Sequence, residues 1–271
     1  MTIGEAIARI YAWFGMPPPR ADRELDRVDE YYVDDDGWLH GPGVFRLPSA
    51  RHSKVTSHLD DGSLGLRAWL WHWSSGNSRP GQTKRLAKAI VKYSKDWEAS
   101  WTLMISKQGE IWQSCSFRQG AWHVAPRYYS GKRPVPKSTP LGIKFGSGAT
   151  HKVNLSAAGC ELENAGKLKK IDGIWRCWPF TPKRGYTLKR ITIEPERVVE
   201  YQGRFYDEFP DVQITAAADA LGAFTRWANV PEHHTGYQHR MFEPDRRDDA
   251  GDLFVDEHLP TIQRAVYGGG F

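Results

Sequence analysis

The segment TGYQHRMFEPDRRDDAGDLF, residues 235–254, constrains this chain more than any other stretch. It sets His239 ten residues before Asp249, with Arg247 two residues before that carboxylate and Gly251 two after it. An imidazole and a carboxylate joined by so short and charged a loop can converge on one cation. Far upstream, the apolar run LRAWLWHWSSGN carries a second candidate imidazole, His72, near the end of a predicted strand. Two histidines and one carboxylate leave a tetrahedral Zn²⁺ one open position, the arrangement of a catalytic rather than a structural zinc. A lone histidine on an apolar strand is also often a hydrogen-bonded core residue. The place of His72 before SSGN, where a strand gives way to a loop, suits a functional one as well, and the residues alone leave the two readings open.

Composition narrows the class. A chain of 271 residues can bury one substantial core. Its 40% hydrophobic content and 12 Trp exclude a disordered chain. Three cysteines, Cys115, Cys160 and Cys177, form an odd and sparse set without a CxxC pair. They supply neither a disulfide framework nor a thiolate metal site, and they suit a reduced folding compartment. No apolar run approaches the roughly 20 residues that span a bilayer. The first residues lack the basic start of a secretory signal, so the chain is expected to be made in the cytoplasm. A substrate outside the cytoplasm would then require a delivery route.

The net charge of +5 conceals segregation. Residues 1–37 hold nine acidic and four basic side chains, residues 79–152 fourteen basic and three acidic, and residues 194–260 fifteen acidic and six basic. A basic middle attracts an anionic partner at long range, although ordinary solvated faces can show the same bias. No recognised nucleic-acid motif accompanies it, so no nucleic acid is expected as a partner.

The pattern along the chain predicts an N-terminal extension, 1–41, and a main domain, 42–271. Within the extension, Ile7, Ile10, Tyr11 and Phe14 predict a helix over 4–15, ended by the prolines 17–19. The acidic stretch to Asp36 reads as a linker or a short second helix. In the main domain, LRAWLWHW predicts a strand, and SRPGQTKRLAKAIVKYSK a helix. SWTLMISKQGEIWQS predicts a hairpin turning at Lys107–Gly109. NLSAAGCELEN predicts a further strand, DVQITAAADALGAFTRWAN a helix, and 255–267 a last helix. The segment 125–152, rich in Pro, Gly, Ser and Lys, is a long connection of the kind that is functional or mobile. Residues 165–205 read as an insertion with short strands. The expected class is α/β, a mixed central β-sheet covered by helices.

These pieces together resemble the type 2 N-acetylmuramoyl-L-alanine amidases, a zinc family that includes phage amidase lysozymes and animal peptidoglycan recognition proteins. LWHWSSG resembles the first ligand motif, with His72 in the ligand place. SWTLMISKQGEIWQ resembles the family hairpin, AWHV the Ala-Trp-His motif, and NLSAAGCELEN the Asn-x-x-Ser-x-Gly-x-Glu strand. TGYQHRMFEPDRRDDAG resembles the terminal His…Pro-x-Arg-Lys-x-Asp-Pro-Gly motif. The likeness covers about residues 44–256. Any one motif is weak; five in family order are specific.

The resemblance implies one Zn²⁺ held by His72, His239 and Asp249. It puts Glu161 at the catalytic carboxylate and Arg247 at the family's lysine. It places His123, Trp101 and Asn154 beside the substrate; for His123 the residues alone equally allow a loop-capping role. The bond hydrolysed would be the lactyl amide between N-acetylmuramic acid and L-alanine of peptidoglycan. Glu161 would act as general base, with Glu163 as the rival. His234, five residues before His239, is the strongest decoy ligand. Departures from the pattern are Trp73 for a second His, Thr102 for a hairpin His, Arg247 for Lys and Ala250 for Pro. Two other readings compete: a non-catalytic peptidoglycan-binding module of the same fold, and a basic protein associated with nucleic acid. Neither needs the ligands and the glutamate together. The absent signal sequence fits a phage endolysin or a secreted effector that reaches the wall through a holin or a secretion system.

Overall fold

The computed structural model describes residues 30–49, 52–55, 62, 64–74, 82–97, 100–124, 141, 153–177, 192–242 and 249–268. The helix expected over 4–15, nearly all of the basic segment 125–152, and Arg247 lie outside the described residues. In chain order the strands are β1 (Tyr32–Val33), β2 (Leu39–His40), β3 (Val44–Arg46), β4 (His52–Lys54), β5 (Ala68–Trp73), β6 (Leu103–Ile105) and β7 (Ile111–Gln113). They continue with β8 (Gln119–Ala121), β9 (Ala157–Leu162), β10 (Lys167–Ile171), β11 (Ile174–Cys177), β12 (Val198–Tyr201), β13 (Arg204–Asp207) and β14 (Tyr237–Gln238). The α-helices are α1 (Gln82–Trp97), α2 (Asp211–Ala228) and α3 (Leu259–Tyr267).

A six-stranded mixed sheet in the order β14-β5-β9-β6-β7-β3 organises the molecule. β14, β5, β9 and β6 run parallel, and β7 turns back against β6. Every residue of β5 and of β9 is buried. Interior parallel strands are covered on both faces, which is why AWLWHW and AAGCEL read as nearly continuous apolar runs rather than as an alternation. The two faces are still distinct, because successive side chains point to opposite sides. Trp69, Trp71 and Trp73 of β5 and Ala158, Cys160 and Leu162 of β9 belong to the main core, which includes the α2 residues Ala217, Ala220, Leu221 and Phe224. Trp69 meets Phe224 and Trp71 meets Phe254, each with ring centroids 5.3 Å apart. Truncating either tryptophan to Ala would cost about 3–5 kcal/mol. The opposite face carries Ala68 and Leu70 of β5 and Ala157 of β9, packed with Val124, Val153, Tyr237 and Phe242. His72 and Glu161 share this second face by the same alternation.

Among the described residues the strands, the hairpin and the helices predicted from residue 66 onward are present, with the last helix preceded by a wide helical turn over Phe254–His258. One expectation fails. Residues 32–40 form neither linker nor helix but a short β-hairpin, and Tyr31 and Leu39 sit in the main core. Tyr31 also donates its hydroxyl to Pro42 O, and Leu39 N–H donates to the Gln113 side chain at 2.7 Å. The packed unit therefore begins before residue 42. The insertion forms a separate antiparallel sheet, β11-β10-β13-β12. Asp207 ties it to the main sheet: Oδ2 accepts Ala165 N–H at 2.8 Å, while Oδ1 meets Lys107 Nζ at 3.1 Å and Arg197 at 2.5 Å. No described helix is long and apolar enough to cross a membrane.

Candidate metal centre and active site

His72 is the penultimate residue of β5, at the carboxyl end of a parallel strand, where the loops of an open α/β sheet gather. The parallel register pairs it directly with Glu161 on β9. β14 lies on the other side of β5, with Gln238 opposite Trp71, so the chain delivers His239 beside His72 as it leaves that strand. A 3₁₀ turn over His239–Met241 follows, and Arg240 N–H then donates to Asp249 O at 3.1 Å. Arg240 also pairs with Asp252, Nη1 to Oδ1, at 2.7 Å. Burial pushes the Asp252 carboxyl up, but the hydrogen bond and charge of Arg240, with the charge of Arg204, outweigh it and hold the group below its ordinary value. These ties bring the two ends of the 235–254 segment together.

Three buried ligand atoms converge as a result. His72 Nδ1 lies 2.9 Å from His239 Nδ1, which lies 2.8 Å from Asp249 Oδ2; His72 Nδ1 and Asp249 Oδ2 are 3.9 Å apart. Tetrahedral bonds of about 2.0–2.1 Å set neighbouring ligand atoms roughly 3.3 Å apart, so these spacings suit one zinc ion. The donor set points the same way. Two imidazole Nδ1 atoms and a carboxylate oxygen directed at a common point are lone-pair carriers, which a cation satisfies and a single proton does not. Among the described residues this is the group of His, Cys, Asp and Glu placed to hold a metal.

Glu161 Oε1 stands 3.7 Å from His72 Nδ1, next to the ligands and outside their set. The rival carboxylate is occupied elsewhere. Glu163 Oε2 accepts the Thr83 hydroxyl, and its carboxylate also takes the backbone N–H groups of Thr83 and Lys107. Burial pushes Glu163 up, and these contacts offset part of the rise. It anchors the start of α1. The decoy His234 meets His233 edge-on, centroids 4.3 Å apart, outside the ligand group.

The three residues expected beside the substrate differ in their surroundings. Asn154 is 1% exposed and committed to the backbone: Oδ1 accepts the N–H groups of His123 and Val124, and Nδ2 donates to Val124 O at 2.9 Å. Its amide holds a loop rather than facing a cleft. His123 lies behind His72, with Nδ1 3.0 Å from His72 Nε2 and Nε2 3.0 Å from Ala157 O. Trp101 is half-buried with Ala87, Met104 and Trp112, and Met104 stands opposite Glu161 in register, so this cluster flanks the carboxylate. Arg247 lies outside the described residues.

The contacts of two glycines, Gly251 and Gly159, were not legible in the sequence. Trp73, in the place of a second histidine, turns to the opposite face. A Cβ on Gly251 would come within 2.2 Å of its ring. Gly251 also has φ +80°, so glycine is required there twice over. Gly159 has a similar role: a Cβ there would meet the His123 ring at 2.4 Å. The glycines are visible in the sequence, but the rings that lie on them are not.

A family model described as N-acetylmuramoyl-L-alanine amidase matches residues 64–252. No curated protein matches the chain. Among solved structures, a selenomethionine derivative of AmpD is similar at 18% identity, over 85% of this chain and 98% of that one, with a TM-score of 0.47. AmiD from E. coli, solved with the substrate anhydro-N-acetylmuramic acid-L-Ala-D-γ-Glu-L-Lys, is similar at 15% identity, over 86% of this chain and 66% of that one, with a TM-score of 0.46. A mutant endolysin from Bacillus subtilis is similar at 12% identity, over 82% and 97%, with a TM-score of 0.43. The match over residues 64–252 spans both ligand-bearing segments and the Glu161 strand, and the chain belongs to the N-acetylmuramoyl-L-alanine amidase family of enzymes.

Proposed function

We propose that this enzyme is a zinc-dependent cell-wall amidase that hydrolyses the bond between the lactyl group of N-acetylmuramic acid and L-alanine. The observation that carries the reading is the convergence of His72 Nδ1, His239 Nδ1 and Asp249 Oδ2 beside Glu161. His72, His239 and Asp249 would hold the zinc, which when bound would supply Lewis acidity to the scissile carbonyl and to the attacking water. Glu161 Oε1 takes the water proton as the water attacks, then returns it to the alanine nitrogen as the C–N bond breaks. Arg247, at the position of the family's lysine, would supply a fixed positive charge to the developing oxyanion; its guanidinium is too weak an acid to donate a proton near neutral pH. The setting that fits is a phage endolysin or a secreted effector, brought to the wall by a holin or a secretion system.

The test joins metal analysis to mass spectrometry of products from purified walls. The wild type should hold one zinc per chain and release stem peptides with a free alanine amine. His239→Ala should lose metal and activity together. Glu161→Gln should keep the zinc while turnover falls about 10²–10⁴-fold. Equimolar zinc in a His72→Ala, His239→Ala double variant would overturn the ligand assignment. Wall binding without zinc or product release would make the chain a binding module of the same fold.

A further inference from the structure

The surroundings of His123 are more specific than loop capping requires. Its backbone is pinned by Asn154, whose Oδ1 accepts the His123 N–H at 3.2 Å. Its ring occupies the space that the missing Cβ of Gly159 leaves on β9. There it stands edge-on to His72, rings 89° apart with centroids 5.1 Å apart. Both ring nitrogens meet protein atoms: Nε2 lies 3.0 Å from Ala157 O and Nδ1 lies 3.0 Å from His72 Nε2.

The direction of these hydrogen bonds is set at one end. A backbone carbonyl can only accept, so His123 Nε2 must carry the hydrogen that bridges to Ala157 O. A neutral imidazole has one donor and one acceptor nitrogen, so His123 Nδ1 is then the acceptor. His72 Nε2 must in turn donate, which leaves His72 Nδ1 a bare lone pair. That is the atom 2.9 Å from His239 Nδ1, on the side of the ligand set. In the other tautomer of His72, two lone pairs would face each other across 3.0 Å and Nδ1 would carry a hydrogen where a metal must bind.

We propose that His123 is a positioning residue: it relays the polarity of Ala157 O to His72 and holds that ligand in its Nδ1-bare tautomer, and it does not contact substrate. The proposal rests on the zinc-centre reading for its purpose, though not for its geometry. Outer partners that fix the tautomer of a metal-binding histidine typically change metal affinity 10–100-fold.

The experiment combines zinc affinity, by chelator competition, with nitrogen NMR of the imidazole tautomers in metal-free protein. His123→Phe keeps a ring over Gly159 but removes the acceptor; zinc affinity should fall about 10–100-fold and the His72 tautomer should become mixed. His123→Asn restores an acceptor oxygen near the Nδ1 position and should recover most of both. Gly159→Ala, which removes no polar group, should displace the His123 ring and weaken zinc binding in the same direction. Wild-type affinity in His123→Phe, or a His72 carrying its hydrogen on Nδ1 in the metal-free wild type, would overturn the proposal. A wild type that takes up no zinc would defeat the proposed function instead, while a hydrogen on His72 Nε2 would still support the relay. If His123→Phe fails to fold, the wild-type tautomer and His123→Asn decide.

Discussion

Asp249 divides its two oxygens between two tasks. Oδ1 accepts the Trp73 N–H at 2.9 Å and Oδ2 points at His239 Nδ1. The strand that carries His72 thus also aims the carboxylate that would share its metal. This division could not be read from residue types, because the Trp73 amide is 176 residues from Asp249. That His72, His239 and Asp249 belong to one group was legible from the family motifs, since residue types alone left His72 open as a core histidine. His123 and Asn154 were legible as motif positions but not in their contacts. An amide at a family motif position suggests substrate, and only the fold shows that its three hydrogen bonds return to residues 123 and 124. At this scale the sharpest remaining question is Arg247. If it supplies one oxyanion contact as a fixed charge, Arg247→Ala should lower turnover by about 10²–10³-fold with zinc retained. Arg247→Lys, which keeps the charge, should retain much of the rate or improve it. Steady-state rates with bound zinc measured on both variants check this, and a normal rate in Arg247→Ala would make the residue a bystander.

β5 and β9 form the seat of the site, and their runs of apolar residues announced them. The β1–β2 hairpin was hidden because each strand has two residues, set in a stretch whose Asp and Gly content reads as linker. Its place depends on Tyr31 and Leu39 finding the main core, a tertiary effect that local pattern does not carry. The insertion sheet is secured in a different manner, through buried charge. Lys107 at the hairpin turn and Arg197 before β12 both meet Asp207, whose side chain is 0% exposed. Burial pushes the Lys107 ammonium down, and the negative charge of Asp207 restores part of it. Asp207→Ala would leave two cations facing a desolvated gap and free Ala165 N–H as well. Breaking a buried pair in this way typically costs about 3–5 kcal/mol, which a urea unfolding midpoint would register. A loss below about 1 kcal/mol would show that the cluster behaves as a solvated surface pair.

Charge segregation is a property of the whole chain, with fourteen basic and three acidic residues over 79–152 against fifteen acidic and six basic over 194–260. Peptidoglycan stems and wall polymers are rich in anionic groups, so the basic region is the expected electrostatic partner. Exposed charges are screened over about 8 Å at physiological ionic strength. Binding of the Glu161→Gln variant to purified walls should therefore weaken as salt rises. If binding is flat with salt and disappears on deletion of residues 1–29, the anchor lies in the N-terminal segment instead. One further consequence follows from the parallel pairing of β14 with β5, which joins His239 to a histidine 167 residues earlier. Contacts this distant along the chain form late, because a long loop must close before they give any return. During translation His72 emerges long before its partners have been made, and a lone imidazole holds zinc poorly. The His72–His239–Asp249 group is thus absent from the nascent chain and forms only when the last quarter of the chain folds back onto β5.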